Sequence, residues 1–215
     1  MMSKSNKKLS VFFSKNADLL ICPKCSKRIF LKEYKLKCSG CRSEFKIEVG
    51  IPELFVLEKM NPGKKSVTKI IKSFYEKNPF PNYEDIDSPE NLKKKASDGI
   101  FARLLDEQMP YNARVLEVGC GTGQLSNFLG LTWGRKIFAS DICINSLKLG
   151  NQFKLKNKID SVTFLQMNLF KPCFAPESFD LVICNGVLHH TGDPLLGYRS
   201  IAQLVKKDGY ILLGL

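Results

Sequence analysis

The stretch L-E-V-G-C-G-T-G-Q, residues 116–124, determines how the second half of the chain is interpreted. An apolar run reaches an acid, Glu117, and three glycines follow at every second position, Gly119, Gly121 and Gly123. Glycine adopts positive φ readily and lets backbone approach a ligand closely. The apolar run predicts a buried strand and the residues after the glycines predict a helix. The glycines would therefore form a strand-to-helix loop of the kind that binds ligands in α/β sheets.

Strand-like and helix-like segments alternate throughout residues 98–215. Strands are predicted at 113–118, 136–140, 162–166, 179–184 and 210–215, and helices at 98–109, 145–156 and 194–206. Such alternation predicts the α/β class, with a doubly wound, mostly parallel sheet covered by helices on both faces. Ligands of these sheets bind beyond the carboxyl ends of the strands, where the strand order reverses.

The spacing of the glycines argues against a dinucleotide as the ligand. A dinucleotide fingerprint needs G-x-G-x-x-G, but Gln124 stands at the third glycine position. Bare backbone beside helix amides instead suits the carboxylate of a smaller zwitterion. Asp141 ends the second predicted strand, where a carboxylate can bind both hydroxyls of a ribose.

These features resemble the class I S-adenosylmethionine (SAM) methyltransferases, which have a Rossmann-like fold, over residues 98–215. Five segments match in order: 116–124, the strand ending at Asp141, L-Q-M-N-L-F (165–170), S-F-D-L-V-I-C-N-G-V-L-H-H (178–190) and L-V-K-K-D-G-Y-I-L-L-G-L (204–215). The resemblance implies an enzyme that binds SAM and transfers its methyl group to an acceptor, which the sequence does not identify.

The resemblance also implies roles for the residues around the loop. Glu117 would hold the amino end of the methionine portion, and Gly119, Gly121 and Gly123 would face the cofactor. Asp141 would bind the ribose, with Ile142 against the adenine.

Three further positions follow from the later motifs. Asn168 falls where the family usually has Asp, and would accept from the adenine amino group through its amide oxygen. Asn185 would lie beside the sulfonium and the methyl group. His189 would contact or deprotonate the acceptor, and the alternative is a histidine that only hydrogen-bonds its own loop.

The segment C-P-K-C-S-K-R-I-F-L-K-E-Y-K-L-K-C-S-G-C, residues 22–41, has the spacing of a metal site. Two C-x2-C pairs twelve residues apart supply the four thiolates that tetrahedral Zn2+ prefers, from Cys22, Cys25, Cys38 and Cys41. Alternating runs around the second pair predict short strands, and Gly40 is expected to permit the second turn. A closed four-cysteine site is structural, so no catalysis is assigned to the metal.

Residues 19–57 resemble the small zinc-ribbon family that includes activator subunits of tRNA and protein methyltransferases. That resemblance implies an adaptor that binds or stabilises a partner. The first fifty residues carry twelve Lys and Arg against four Asp and Glu, beginning with the basic tail 1–18. Such a surface suits RNA or is a solubilising face, and an rRNA or tRNA base methyltransferase is an alternative function. A non-catalytic SAM-binding or adaptor protein is another. Loss of the metal is expected to unfold the ribbon alone, because the rear domain would have its own core.

The connector, residues 58–97, contains four prolines that exclude one continuous helix, Pro62, Pro79, Pro81 and Pro89. Its large aromatic side chains, including Phe74 and Phe80, favour packing on the rear domain as a lid over the cleft. The alternative is a passive spacer.

No apolar run is long enough to span a membrane, and no secretory signal is recognised. Cys120, Cys143, Cys173 and Cys184 are scattered through apolar runs, which fits a reducing compartment and a cytoplasmic protein. The fold that the rear domain resembles has two strands after the fifth. The chain is therefore expected to be a fragment, or to have a partner chain that completes the sheet.

Overall fold

The computed structural model describes residue 16 and residues 18–57 and 66–215, so the basic tail lies almost wholly outside the described residues. The ribbon forms a three-stranded antiparallel sheet, in the order β1 (Ile29–Lys32), β2 (Lys35–Cys38) and β3 (Glu44–Phe45). A short hairpin of β4 (Ile47–Glu48) and β5 (Ile51–Pro52) follows. These are the short strands that the alternating runs predicted.

The described part of the connector consists of two helices, α1 (Val67–Lys77) and α2 (Pro89–Asp98). Ser66 and Ser88 cap their N-termini by accepting hydrogen bonds from backbone N–H groups. Residues 78–88 between the helices are extended or turned, and Pro79 and Pro81 lie there. The prediction that no single helix spans this segment is confirmed.

The rear domain contains a five-stranded parallel sheet with helices between its strands. Its elements are α3 (Ile100–Gln108), β6 (Arg114–Val118), α4 (Gln124–Leu129), β7 (Lys136–Asp141), α5 (Ile144–Lys156), β8 (Val162–Gln166), β9 (Phe179–Asn185), a short 3-10 helix (Leu188–His190), α6 (Pro194–Ala202) and β10 (Val205–Gly214). The strand order is β10-β9-β6-β7-β8. The predicted fold class is confirmed. Because β6 lies between β7 and β9, the loop that follows β6 is at the point where the strand order reverses.

The ribbon and the rear domain share one hydrophobic core. Leu20 and Leu54 from the front of the chain belong to the same buried cluster as Phe174 and Phe179. Backbone hydrogen bonds join the two parts as well: Ile21 N–H donates to the Cys173 carbonyl at 2.9 Å. The expectation that the rear domain has a separate core is wrong.

Strand β10 pairs with β9 and is the outer strand on that side of the sheet within the part of the chain that the structure describes. It begins at Val205, five residues earlier than expected, and its register shifts between Val205 and Tyr210. Across the described ranges, no helix is long and apolar enough to cross a membrane.

Candidate cofactor cleft and metal centre

A cleft of about 650 Å³ opens at the carboxyl ends of β6, β7 and β9. It brings together all but one of the residues that the sequence assigned to the cofactor and the acceptor. Those that line it are Glu117, Gly119, Gly121, Asp141, Ile142, Asn168, Asn185 and His189. Gly123 is buried behind the loop and does not line the cleft.

Two partly buried carboxylates give the cleft a negative region. Burial raises the pKa of Glu117 to about 7, while hydrogen bonds from the Ser126 hydroxyl and N–H oppose the rise. Burial likewise raises the pKa of Asp141 to about 6. Its carboxylate accepts from Gly121 N–H at 2.9 Å and from Cys143 N–H at 2.8 Å. A bound cation would favour the ionised form of both acids, so this end of the cleft suits a positively charged ligand.

The three glycines have positive φ, at 71°, 56° and 71° for Gly119, Gly121 and Gly123. A Cβ at each would also collide with the chain itself. On Gly119 it would strike the Val187 side chain. On Gly121 it would strike the Phe80 carbonyl oxygen, and on Gly123 the Phe164 ring. The glycines are therefore required by internal packing, a reason that the sequence interpretation did not include.

The backbone N–H groups of the glycine loop donate hydrogen bonds to β7 and to the loop itself. Gly119 N–H and Cys120 N–H both donate to the Ser140 carbonyl, at 2.8 and 3.0 Å. Gly121 N–H donates to Asp141, and Gly123 N–H donates to the Cys120 carbonyl at 2.8 Å.

The segment 78–83 of the connector lies on this loop. Thr122 N–H donates to the Phe80 carbonyl at 3.3 Å, and the Thr122 hydroxyl donates to the Pro81 carbonyl. The Gln124 side-chain amide donates to the Asn82 carbonyl, and the Tyr83 hydroxyl donates to the Thr122 carbonyl at 3.1 Å. The aromatic content of the connector indicated that it would pack, but not onto which residues.

Helix α1 lines the cleft with Thr68, Ile71 and Tyr75 and packs against α5. Its Glu76 carboxylate accepts from the first amides of α5, Ile144 N–H at 3.1 Å and Asn145 N–H at 3.2 Å. Helix α5 has no capping side chain of its own, so a carboxylate from the connector satisfies its N-terminus.

The amide of Asn168 is already bound within the chain. Its Nδ2 donates to the Val56 carbonyl at 2.9 Å, and its Oδ1 accepts from Phe170 N–H at 3.0 Å. The side chain thereby ties the last residues of the ribbon to the floor of the cleft.

His189 and His190 occupy the 3-10 helix after β9, and both line the cleft, with ring centroids 3.9 Å apart. Most of the remaining wall is apolar, formed by Leu92, Ala96, Phe101, Leu125 and Phe128 among others. Lys95 lines the same side.

The four ribbon cysteines form a compact thiol cluster whose sulfur atoms all lie within 4.8 Å of one another. The Cys22–Cys41 and Cys25–Cys38 sulfur distances are 3.6 and 3.4 Å. Tetrahedral zinc with Zn–S bonds of about 2.3 Å places its sulfurs about 3.8 Å apart, so the donor set fits that ion.

The knuckles shift the pKa values of their cysteines in different directions. Lys24 N–H and Gly40 N–H donate to the Cys22 and Cys38 sulfurs at 3.4 and 3.3 Å. A hydrogen bond with the Ser43 hydroxyl lowers the pKa of Cys41 to about 6, whereas burial raises the pKa of Cys22 to about 12. Gly40 does not have positive φ, contrary to its expected role. A Cβ there would lie 2.7 Å from the Lys27 side chain, so space is what the position requires.

Comparisons with known proteins agree with this architecture. Residues 116–213 match the family model described as a methyltransferase domain. A ubiquinone biosynthesis O-methyltransferase of Xanthomonas campestris pv. campestris is 34% identical over 101 residues, which cover 47% of this chain and 42% of that protein. An uncharacterised protein of Synechococcus sp. is 30% identical over 152 residues, which cover 68% of this chain and 36% of that protein. The present chain thus spans about two fifths of the length of these two relatives.

The Synechococcus match extends back into the connector, since it covers 68% of the 215 residues and only 118 residues of this chain lie at or after position 98. Among solved structures, a protein provisionally named as an S-adenosyl-L-methionine-dependent methyltransferase from Methanococcus maripaludis superposes with a TM-score of 0.52. It is 17% identical, and the match covers 73% of this chain and 67% of the other. Residues 116–213 therefore carry the sequence pattern of a methyltransferase domain on the Rossmann-like methyltransferase fold.

Proposed function

We propose that this chain is a class I SAM-dependent methyltransferase acting on a small acceptor. The observation that carries the proposal is the pair of partly buried carboxylates, Glu117 and Asp141, at the ends of adjacent strands in the cleft. The family match over residues 116–213 supports the same reading.

The residues of the cleft suit two parts of the cofactor, its charged amino-acid end and its ribose. Glu117 would hold the ammonium group, and Asp141 the ribose hydroxyls while it also holds the loop. Ile142 would lie against the adenine. Gly119 and Gly121 would border the cofactor, Gly123 would support the loop from behind, and Asn185 would lie near the sulfonium. For Asn168 we propose a positioning role beside the adenine, since both ends of its amide bind the chain.

SAM, when bound, supplies a methyl group that is already activated by its sulfonium. The chain then has to hold the acceptor beside the methyl group and exclude water. Binding in the cleft would do the first, and the apolar wall would do the second. His189 lines the cleft, and we propose that it accepts the proton that the acceptor loses.

The acceptor that the cleft favours is a small, largely apolar molecule. The wall of Leu92, Phe101, Leu125 and Phe128 suits it, and curated relatives are named for O-methylation in ubiquinone biosynthesis. RNA is less favoured, because Arg28, Lys35 and Lys37 of the ribbon are paired with acidic side chains.

The proposal is tested by titration calorimetry with SAM at several pH values. Because burial raises the pKa of both carboxyl groups, the folded ligand-free protein holds these protons more tightly than the unfolded chain. The contribution of these two groups to the free energy of unfolding therefore falls as pH rises from about 4 to about 7. Binding of a cation needs the ionised forms, so SAM affinity should rise over the same window. We expect binding at pH 5.5 to be about tenfold weaker than at pH 7.5.

Glu117→Gln should bind SAM more weakly and with a smaller pH dependence. Binding of NADH in place of SAM, or SAM affinity that does not change with pH, would contradict the proposal. SAM binding without turnover of any acceptor would favour the non-catalytic alternative.

We also propose that the ribbon binds one structural Zn2+ through Cys22, Cys25, Cys38 and Cys41. Elemental analysis should find about one equivalent of zinc per chain. Less than half an equivalent in protein with all four thiols reduced would refute this site.

A further inference from the structure

We propose that helix α1 docks on an anionic phospholipid surface through a stripe of exposed apolar side chains beside the cleft. The inference rests on the proposed function in one respect: the acceptor that such a surface would supply is the apolar molecule proposed above.

The first observation is an apolar stripe on α1 that is exposed to solvent. None of the 11 residues of this helix is buried, and three of them line the cleft, as described above. The stripe one position earlier along the helix has the same spacing and consists of Val67, Ile70 and Phe74, all exposed. Successive helical residues are rotated by about 100°, so this stripe borders the side of α1 that lines the cleft.

Helix α3 has the same construction. None of its residues is buried either, and its Phe101 lines the cleft. Ile100 and Leu104 are exposed and, four positions apart, lie on one side of the helix. Two helices that line one cleft therefore both present exposed apolar side chains next to it. Apolar side chains grouped in this way, unlike scattered single ones, mark a site of protein or membrane interaction.

The charge of α1 favours a membrane over a protein as the partner. The helix carries Lys69, Lys72 and Lys77 against one acid, Glu76, which binds the first amides of α5. The other acids of residues 66–88 stand after α1, in the segment before α2: Glu84, Asp85 and Asp87. An apolar stripe on an otherwise lysine-rich helix is typical of helices that lie in the plane of an anionic membrane surface. The net charge of +12 on the whole chain attracts the same surface.

The form of the apolar surface also favours a bilayer. Ile70 and Ile100 project into solvent, 54% and 67% exposed, and neither lines the cleft. A folded partner would need a pocket for each projecting side chain, whereas the boundary between headgroups and acyl chains accommodates them in any arrangement. Contact through these residues would bring the cleft to the bilayer, and an apolar acceptor could enter it without passing through water.

Sedimentation with lipid vesicles tests the docking on the full chain without cofactor. The wild-type protein should bind vesicles of phosphatidylcholine and phosphatidylglycerol in equal parts at least tenfold more tightly than vesicles of phosphatidylcholine alone. The double variant Ile70→Ser/Phe74→Ser should bind the mixed vesicles about thirtyfold more weakly, because two apolar side chains no longer leave water. Lys69→Gln should weaken the same binding about fivefold.

Trp133→Ser is the matched control. Trp133 is 89% exposed and precedes β7, so it lies at the amino ends of the strands, opposite the cleft. Its loss should leave vesicle binding unchanged, and Phe74→Trp should retain it. Because neither Ile70 nor Phe74 lines the cleft, the double variant should bind S-adenosylhomocysteine as tightly as the wild type, which also reports that it is folded.

The inference is overturned if the mixed vesicles are not bound, if both vesicle types are bound equally, or if Trp133→Ser weakens binding as much as the double variant. It is also overturned if light scattering finds a dimer that the double variant abolishes, since a second copy of the chain would then cover the stripe. If the wild type binds S-adenosylhomocysteine but not the vesicles, the proposed function stands and only the docking surface is lost. If it binds the vesicles but not S-adenosylhomocysteine, the docking surface stands and the proposed function fails.

Discussion

The ribbon and residues 78–82 of the connector are attached to the same domain in opposite ways. The ribbon contributes Leu20 and Leu54 to a core that continues into Phe174 and Phe179. The connector binds the glycine loop largely through carbonyl groups, those of Phe80, Pro81 and Asn82. It leaves large apolar side chains at the surface, with Phe74 and Phe80 57% and 71% exposed.

The difference predicts different strengths of attachment. Burial of apolar surface contributes about 25 cal/mol per Å². A hydrogen bond that water can replace contributes only about 1 kcal/mol net. We therefore expect the ribbon to be inseparable from the fold and residues 78–82 of the connector to be a wall of the cleft that can open, whereas α2 is held by its buried Leu92 and Ala96. The following changes test this contrast.

The largest effect should come from breaking the proposed metal centre with Cys22→Ser. Because the ribbon shares the core of the domain, we expect the free energy of unfolding of the whole protein to fall by about 4 kcal/mol or more. Thermal unfolding followed by circular dichroism measures this change. Lys24→Ala, in the same knuckle, is the control. Two separate transitions, with that of the rear domain unchanged, would show that the parts are independent.

Leu54→Ala tests the shared core without changing the cysteine cluster. Leu54 is completely buried among residues of both parts, so its truncation should cost about 2–5 kcal/mol in the free energy of unfolding. Val49→Ala is matched to it, since Val49 is on the same module and 60% exposed. Denaturant titration of the two variants gives the comparison, and equal effects would argue against the shared core.

Gly121→Ala tests the attachment of the connector. Its Cβ would strike the Phe80 carbonyl oxygen, so residues 78–83 should detach, with a loss of about 2 kcal/mol that includes the strain of positive φ. Gly50→Ala has the strain without the collision, since nothing lies within 4 Å of its Cβ. Hydrogen exchange at 78–83 should rise only in the first variant. If exchange there stays slow, the contact does not hold the connector.

The smallest effect is expected for Glu76→Gln. This change removes the charge that caps α5 and pairs with Lys72, and should cost about 1 kcal/mol. Glu107→Gln breaks an exposed pair of the same spacing with Arg103 and should change stability very little. Chemical denaturation of both variants measures the difference, and an equal loss in the two would remove the capping role.

Much of the fold follows from local sequence patterns. The strand predicted at 162–166 has those bounds in the structure, and the loop after β6 lies where the glycines indicated. The sequence predicts that α6 ends at 206, because Ile201 and Leu204 continue a helical spacing of apolar residues. In the structure α6 ends at Ala202 and the chain turns toward β10.

The missed features are contacts between segments that are distant in sequence. Leu20 and Leu54 have the same appearance in the sequence whether they pack inside the ribbon or against the domain. Nothing local indicates that the Phe80 carbonyl meets Gly121, or that Asn168 holds Val56. The motif spacing predicted that the charged groups of the cleft lie together, as they do. It did not indicate which of the loop amides donate hydrogen bonds within the chain.

The shared core has a consequence for the order of folding. Leu20 is synthesised early, but its partner Phe174 leaves the ribosome more than 150 residues later. The cysteine knuckles can close at once, since their cysteines are near in sequence, whereas the apolar side of the ribbon stays uncovered until β8 and β9 have formed. During synthesis this surface is therefore the part of the chain that most needs protection from premature association.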